Sequence, residues 1–242
     1  MSRIQSLVLS VLFALAGSAA TAQQVEVPPC DFETGKKAMW ADKDLEKRQA
    51  GLSQVRCSAE AGNPEAQVYL ATLLDAGFGI PQDTRQAAEW LERAAQKRYA
   101  PAMTRLAFAL LNGVGVRPDR ARARELLTEA AAMGDAQAMS NLGAMYGRGD
   151  GVPQRDRVAA EWYRKAAEHG SPHGQLGLAN MLMRGHGVAQ DFGACYLYAS
   201  LAAKTNFPPA MNVARQCEQK LTAEERARVT EQVQQWQPVV SN

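Results

Sequence analysis

The sequence predicts an all-α protein built as a solenoid of helix-turn-helix repeats, because three features recur at one fixed step. Two glycines flanking one variable residue begin at Gly77, Gly113, Gly149 and Gly185, each 36 residues after the last. Paired alanines keep this step at positions 94–95, 130–131, 166–167 and 202–203. A single leucine keeps it at positions 70, 106, 142 and 178. Four copies in one register indicate a repeat array rather than one ordinary domain.

Within each repeat, the spacing of small and apolar residues predicts two helices. Ala138, Leu142 and Tyr146 recur at every fourth position. Trp162 and Tyr163, with alanines at 159, 166 and 167, follow the pattern of one buried helical face. We expect the first helices at 64–76, 100–112, 136–148 and 172–184, and the second at 84–97, 119–133, 156–169 and 191–205.

Glycine and aspartate predict where these helices end and begin. Gly77 and its equivalents follow each first helix, where a residue without a Cβ accepts the left-handed conformation. Asp83, Asp119 and Asp191 precede the second helix, where a carboxylate accepts from free amides of the first turn. In the third repeat Arg155 holds this position. A phosphate-binding loop is the alternative for the glycine pairs, but such loops follow a β-strand and carry further glycines or a Gly-Lys pair.

The array predicts four segments along the chain. Residues 1–22 are a signal peptide, residues 23–62 an N-terminal capping segment with a degenerate half-repeat, residues 63–206 the four repeats, and residues 207–242 C-terminal capping helices and a tail. The half-repeat runs from Asp44 to Ala61, and a fifth first helix is expected at 208–220. Thr222 and Glu225 have capping-box spacing, which predicts a last helix reaching about Trp236.

The N-terminus is typical of a cleavable export signal. Arg3 precedes an apolar run from Leu7 to Gly17, and Ala20-Thr21-Ala22 forms an A-x-A cleavage site. An uncleaved anchor is the alternative, but this run is much shorter than the roughly 20 residues that span a bilayer. No cysteine follows Ala22 to carry a lipid. We expect a soluble mature chain in the periplasm, or alternatively one secreted to the medium or to a host cell.

Composition argues against a nucleic-acid partner. The formal net charge is +2, and loss of Arg3 with the signal peptide lowers it to about +1, too near neutral for binding through phosphate neutralisation. No sequence feature calls for a cofactor, and we expect a monomer.

Three stretches of the third repeat resemble a known repeat family. They read AAEWYRKAAEHG at 159–170, NLGAMY at 141–146 and GDGVP at 149–153. Together they closely resemble the Sel-one-like repeats of the tetratricopeptide superfamily, over about 160 residues of this chain. Arg98 and Asn206 depart from the pattern, since they replace the glycine that ends a second helix. The resemblance implies a right-handed α-solenoid, and an adaptor or regulator of protein assemblies with no catalytic residues to carry across.

Four cysteines in an exported chain predict two disulfides. Cys195 and Cys217 each lie 11 residues from Asn206, the turn between two antiparallel helices, so they should meet at the same height. Cys57 should be exposed on its helix, where the segment bearing Cys30 can cross it. Free thiols, a metal site or redox catalysis are the alternatives, but the sequence contains no C-x-x-C motif.

Catalytic signatures are missing from the sequence. It contains no G-x-S-x-G, S-x-x-K, H-E-x-x-H or Walker motif. His169 and His173 straddle a turn and His186 fills a variable slot, so solvated histidines are favoured over a metal cluster. We therefore expect a binding protein and no enzyme. A weak hydrolase or a ligand-binding protein for cell-wall or β-lactam compounds is the alternative.

The first helices of such superhelices line the concave side, which predicts a binding strip on their outward face. The strip bears four basic residues, two aromatics and no acid, so we expect an acidic or carboxylate-bearing protein segment as its partner. Ordinary solvated side chains are the alternative. The strip comprises Tyr69, Thr72, Arg105, Phe108, Asn112, Asn141, Arg148, Asn180, Arg184, Gln216 and Lys220.

Overall fold

The computed structural model describes residues 30–41 and 45–239. The predicted signal peptide lies outside these residues. The regular elements that the model describes are all helices. They are α1 (Phe32–Ala41), α2 (Leu45–Glu60), α3 (Pro64–Ala76), α4 (Thr84–Gln96), α5 (Ala100–Asn112), α6 (Arg120–Ala132), α7 (Ala136–Arg148), α8 (Asp156–Glu168), α9 (Pro172–Arg184), α10 (Phe192–Ala203), α11 (Pro208–Glu218) and α12 (Ala223–Gln235).

The helices form the α-solenoid that the sequence predicts. Each helix from α1 to α10 packs against the next one in the chain, α12 packs on α10, and the first helices α7 and α9 also touch each other. The repeated alanines lie at these crossings, and Ala94, Ala130, Ala166 and Ala202 are fully buried. Small side chains there let two helix axes approach closely. The four first helices have the bounds the sequence predicts, and the second helices differ by at most two residues at either end.

The predicted helix ends are also present. Gly77 ends α3 with a left-handed backbone, at φ 65° and ψ 28°. The carboxylate of Asp83 accepts from the amide of Gln86 at 2.9 Å and begins α4. Arg155 begins α8 without a side-chain hydrogen bond, as its long cationic side chain has no acceptor for a free amide. Arg98 and Asn206 are left-handed at φ 58° and 55°, and they end their helices in place of glycine.

At Gly115, Gly151 and Gly187, the second glycine of the pair is required by the packing of one repeat on the previous one. A Cβ added to Gly115 would lie 2.0 Å from the carbonyl oxygen of Thr84, at the start of α4. A Cβ added to Gly187 would lie 2.3 Å from the carbonyl carbon of Asp156, at the start of α8. In the last three repeats, the loop after the first helix therefore presses its backbone onto the second helix of the preceding repeat. The glycine pair is a structural feature of the array.

The N-terminal end is a full helical hairpin, although the sequence pattern predicts only its second helix. Helices α1 and α2 cross where Gly35 faces Gly51, and a Cβ on Gly35 would lie 2.9 Å from the Gly51 carbonyl oxygen. Cys30 and Cys57 are disulfide-bonded, with their Cα atoms 5.4 Å apart. The hydroxyl of Ser58 also donates to the carbonyl of Cys30 at 3.3 Å. The segment before α1 is thus fixed to α2, as the cysteine pattern predicts, and with that segment across it Cys57 is half-buried rather than exposed.

The C-terminal end is closed by a second disulfide and a capping helix. Cys195 of α10 and Cys217 of α11 are bonded in a fully buried site, with their Cα atoms 6.1 Å apart. The Thr222 hydroxyl accepts from the Glu225 amide at 3.2 Å, and the Glu225 carboxylate accepts from the Thr222 amide at 2.8 Å. This completes the predicted capping box. Both cysteine pairs lie at an end of the array, where a solenoid frays first.

Candidate protein-binding groove

Three consecutive first helices, α5, α7 and α9, line one side of a groove of about 890 Å³. Its wall is completed by residues of α3, α4 and α6, by residues of two loops, and by Tyr163 of α8. Six residues of the predicted strip line this groove. They are Arg105, Phe108, Asn112, Asn141, Arg148 and Asn180.

The remaining strip residues lie elsewhere. Arg184 lines a smaller recess of about 370 Å³ that adjoins the groove and shares Arg148 and Asn180 with it. Gln216 and Lys220 are exposed on and just after α11, beyond the groove lining. Tyr69 and Thr72 lie on α3, before the groove begins.

Tyr69 is partly covered by α1, the helix that the sequence pattern does not predict. The edge of its ring meets the ring of Phe32 at a centroid distance of 5.8 Å. The indole nitrogen of Trp40 donates to its hydroxyl at 2.5 Å. Burial raises the pKa of the Tyr69 hydroxyl, which stays neutral at physiological pH. Tyr69 therefore holds α1 to the array through both its ring and its hydroxyl.

Phe108 is the most exposed aromatic side chain in the groove. Its side chain is 57 % exposed although it projects from the middle of α5. The side-chain amide of Asn112, one turn further on, donates to the backbone carbonyl of Phe108 at 2.8 Å. An exposed ring on a rigid helix is the kind of residue that contributes most to a protein interface once a partner covers it.

The charge of the groove is mixed, with a cationic excess. Arg105, Arg120 and Arg148 line it together with Asp75 and Asp150. The predicted strip has no acid, but the loops and the neighbouring helix bring these two carboxylates to its edge. Burial raises the pKa of Asp75, while the positive charge of Arg105 acts in the opposite direction. The guanidinium of Arg105 also donates to the Thr72 hydroxyl at 3.2 Å.

Sequence reasoning missed the residues that reach the groove from outside the strip. Tyr163 comes from a second helix, and His173 and Leu176 lie on α9 at positions outside the outward face of the strip. The one signal for Tyr163 is the pair of glycines, Gly143 and Gly177, on the two first helices that flank its ring. Only the three-dimensional packing shows that these glycines face a tyrosine.

Two histidines and two tryptophans contact neighbouring groups within the fold. Nδ1 of His169 lies 3.0 Å from the Lys165 carbonyl, and the ring of His173 lies 5.2 Å from that of Phe207. The tryptophan rings of two second helices are each covered by a cation, Trp90 by the guanidinium of Arg93 at 4.4 Å. Across the described ranges, no three His, Cys, Asp or Glu residues cluster as metal ligands would. None of the helices in those ranges is long and apolar enough to cross a membrane.

The fold and the groove define a helical-repeat protein of the tetratricopeptide-like type. The Sel1 repeat model matches residues 64–99, 100–135, 136–171 and 172–206, which together are more than half of the chain. The chain therefore belongs to the Sel1 repeat family, as its resemblance to the Sel-one-like repeats predicts. Sel1 repeat proteins generally mediate protein–protein interactions, and the family is generally a non-enzymatic scaffold. Among curated proteins, none matches the chain.

Solved structures of bacterial repeat proteins are similar to this chain. A protective antigen of uropathogenic Escherichia coli with the same repeat fold is 28% identical, with a TM-score of 0.66 over 83% of this chain and 45% of its own. A Sel1 repeat protein from Oxalobacter formigenes is 33% identical, with a TM-score of 0.59 over 69% of this chain and 49% of its own. This chain thus spans about half the length of both. A putative Sel1 repeat protein from Klebsiella pneumoniae is 19% identical, with a TM-score of 0.51 over 77% of this chain and 91% of its own, and shares the fold.

Proposed function

We propose that this protein is an exported adaptor that binds another protein in its groove and serves a regulatory or assembly role in the cell envelope. The observation that carries the proposal is the groove over α5, α7 and α9, which is lined by the exposed ring of Phe108 together with Arg105 and Arg148. Its volume of about 890 Å³ is that of a sizeable ligand-binding cleft. It carries a mixture of apolar and cationic groups that is typical of protein interfaces.

The aromatic and the cationic side chains of the groove contribute to the proposed binding in different ways. Phe108 supplies apolar surface, and covering such a ring contributes more to affinity than most interface contacts do. Arg105 and Arg148 attract an acidic segment from a distance and fix its register once it is bound. The partner we propose is therefore a protein segment that carries carboxylates beside apolar residues.

Export is supported by the cysteines. Both pairs lie at bonding distance in the fold, and disulfides persist in oxidising compartments outside the cytoplasm. The N-terminal pattern of Arg3, an apolar run and an A-x-A site agrees with this. The periplasm is the compartment we propose.

The test is capture of partners by the purified, disulfide-bonded protein. Wild-type protein and a variant with Arg105→Glu, Arg148→Glu and Arg184→Glu would be crosslinked to periplasmic extract, and the captured proteins identified by mass spectrometry. We expect the variant to lose the partner that the wild type enriches, because the groove changes from cationic to anionic. Unchanged capture would refute binding in the groove.

A matched control carries the same number of charge reversals outside the groove. Arg85→Glu, Arg155→Glu and Arg164→Glu change exposed arginines that line neither the groove nor its recess. This control should capture the partner as the wild type does. An equal loss in both variants would mean that net charge, and not the groove, determines capture.

A further inference from the structure

Tyr163 enters the groove from a second helix, through a gap between two first helices. A Cβ on Gly143 of α7 would lie 2.8 Å from its ring, and a Cβ on Gly177 of α9 would lie 2.5 Å from it. Gly177 holds the repeat position occupied by Arg105 and Asn141 in the two preceding repeats. The absence of a side chain at both glycines lets the ring lie between the helices.

The phenol is specific to the third repeat. The equivalent positions in the other repeats hold Leu91, Leu127 and Ala199, which carry no polar group. Leu127 is fully buried, whereas Tyr163 lines both the groove and the adjoining recess. The third repeat therefore brings a hydroxyl to a place where the array otherwise has apolar core.

The recess beside Tyr163 carries an excess of positive charge, because Arg148 and Arg184 line it with a single carboxylate, that of Asp156. The hydroxyl of Tyr163 makes no hydrogen bond to any residue of 30–41 or 45–239. Arg148 and Arg184, one repeat apart, line the same recess and form no ion pair with residues in those ranges. The carboxylate of Asp156 also lines this recess, where it accepts from the side-chain amide of Gln154 at 3.1 Å and forms no ion pair with either arginine. Within the described ranges, two guanidinium groups and a phenol thus lie beside one recess without a hydrogen-bond or ion-pair partner.

The electrostatic setting keeps the phenol a donor. Burial between α7 and α9 raises the pKa of Tyr163, and the charge of Arg148 opposes this only in part. The hydroxyl is therefore protonated at neutral pH and can donate its hydrogen. Hydrogen bonds to an ionised acceptor are stronger than those between neutral groups.

We propose that the Tyr163 hydroxyl, with Arg148 and Arg184, forms a subsite that binds a carboxylate side chain of an acidic partner segment. The inference rests on the proposed function, because it names the chemistry that the groove selects. Charge complementarity supports this occupant, since an acidic side chain supplies the acceptor that the three donors lack. Tyr163 is then a residue that determines specificity, and the glycines that admit its ring serve the same purpose.

The test is the substitution Tyr163→Phe, which keeps the ring between the glycines and removes only the hydroxyl. The probes are two fluorescein-labelled decapeptides, one of alternating glutamate and valine and one with glutamine in place of glutamate. Binding to the full mature protein would be measured by fluorescence polarisation. We expect the glutamate peptide to bind more tightly, and Tyr163→Phe to weaken its binding about 10-fold while leaving the glutamine peptide unchanged.

A control variant separates the subsite from general effects. Tyr196→Phe removes a hydroxyl from a half-buried tyrosine of α10 that lines neither cavity, and its affinity for both peptides should equal that of the wild type. Equal affinity of the wild type for the two peptides would overturn the inference. So would an unchanged affinity in Tyr163→Phe, an equal loss for both peptides, or no binding of the glutamate peptide at about 1 mM.

The failure of this inference can be told from failure of the proposed function. If the arginine reversals abolish partner capture but Tyr163→Phe binds the glutamate peptide like the wild type, the groove binds protein without this subsite. If the arginine reversals leave capture unchanged, the proposed function itself is wrong.

Discussion

Replacing Gly115 by alanine should destabilise the array much more than the same change at Gly79. Both glycines are the second of their pair, and both have a left-handed backbone at φ +71°. The two substitutions therefore carry the same strain from a Cβ at positive φ, and the same gain from a less flexible unfolded chain. Any difference between them reports what the added Cβ meets.

The surroundings of the two added methyl groups differ sharply. At Gly115 the Cβ would lie 2.0 Å from the Thr84 carbonyl oxygen and 2.9 Å from the Arg85 amide nitrogen, which are backbone atoms of a helix start. At Gly79 the only atom of the described residues within 4 Å of the added Cβ is the terminal methyl of Met39 at 3.2 Å, which can move aside. Ordinary contact lies near 3.5 Å, so the loop at Gly115 must move by more than about 1 Å. Overpacking of this kind typically costs about 1–3 kcal/mol, and more against rigid backbone.

The assay is urea denaturation of both variants, followed by helical circular dichroism, with hydrogen exchange of the amides in α4 to α6. We expect Gly115→Ala to lower the free energy of unfolding by at least about 2 kcal/mol more than Gly79→Ala does. Because repeats are stabilised by their neighbours, the loss of protection should be greatest at the junction of the first two repeats.

The other two glycines extend the comparison into a series. The added Cβ would lie 2.6 Å from the Cβ of Arg120 at Gly151, and 2.3 Å from the Asp156 carbonyl carbon at Gly187. The loss of stability on substitution by alanine should increase in the order Gly79, Gly151, Gly187 and Gly115. Equal losses for Gly79→Ala and Gly115→Ala would refute the explanation of the second glycine by repeat packing, and would leave only its backbone conformation.

Three further changes test the ends of helices and of the array. Arg155→Asp supplies the missing N-cap of α8 and should raise the free energy of unfolding by about 1 kcal/mol in urea titrations, and a loss would contradict the capping argument. Replacing both Cys195 and Cys217 by alanine opens a loop of 22 residues and should lower the free energy of unfolding by about 3 kcal/mol. Separately, mass spectrometry of the intact protein should give a mass lower than that of the reduced form by the hydrogens that two disulfides remove. The capping box lowers the pKa of Glu225 below its ordinary 4.5, so its contribution is present above that pKa and is lost as the pH falls through the folded value. The stability difference between the wild type and Glu225→Gln should therefore shrink between pH 7 and about pH 3, and a constant difference would refute it.

The helices and their ends were predictable because they depend on local chemistry. The left-handed Gly77 and the carboxylate of Asp83 act within one turn of where they stand, and the fixed 36-residue step repeats both signals four times. The pair of Cys195 and Cys217 was predictable for a related reason, because two residues at equal distances from a turn meet at the same height on two antiparallel helices. Helix α1 lies outside the 36-residue repeat. Its packing depends on the close approach of Gly35 and Gly51, which the repeat pattern does not predict.

The groove was predictable only in part. Helical geometry places Arg105, Phe108 and Arg148 on the outward face of first helices, and the structure has them in one groove. The carboxylate of Asp75 and the covering of Tyr69 by α1 depend on how neighbouring elements meet.

The sequence by itself determined the repeat, its helices and the outward face of the first helices, since all of these follow from periodicity and local capping. Only the tertiary structure decided where the groove begins and which second-helix residue enters it. The reason is that a gap between helices depends on two side chains at once. Gly143 and Gly177 lie 34 residues apart in the sequence, and the ring of Tyr163 lies between them only when three helices have packed.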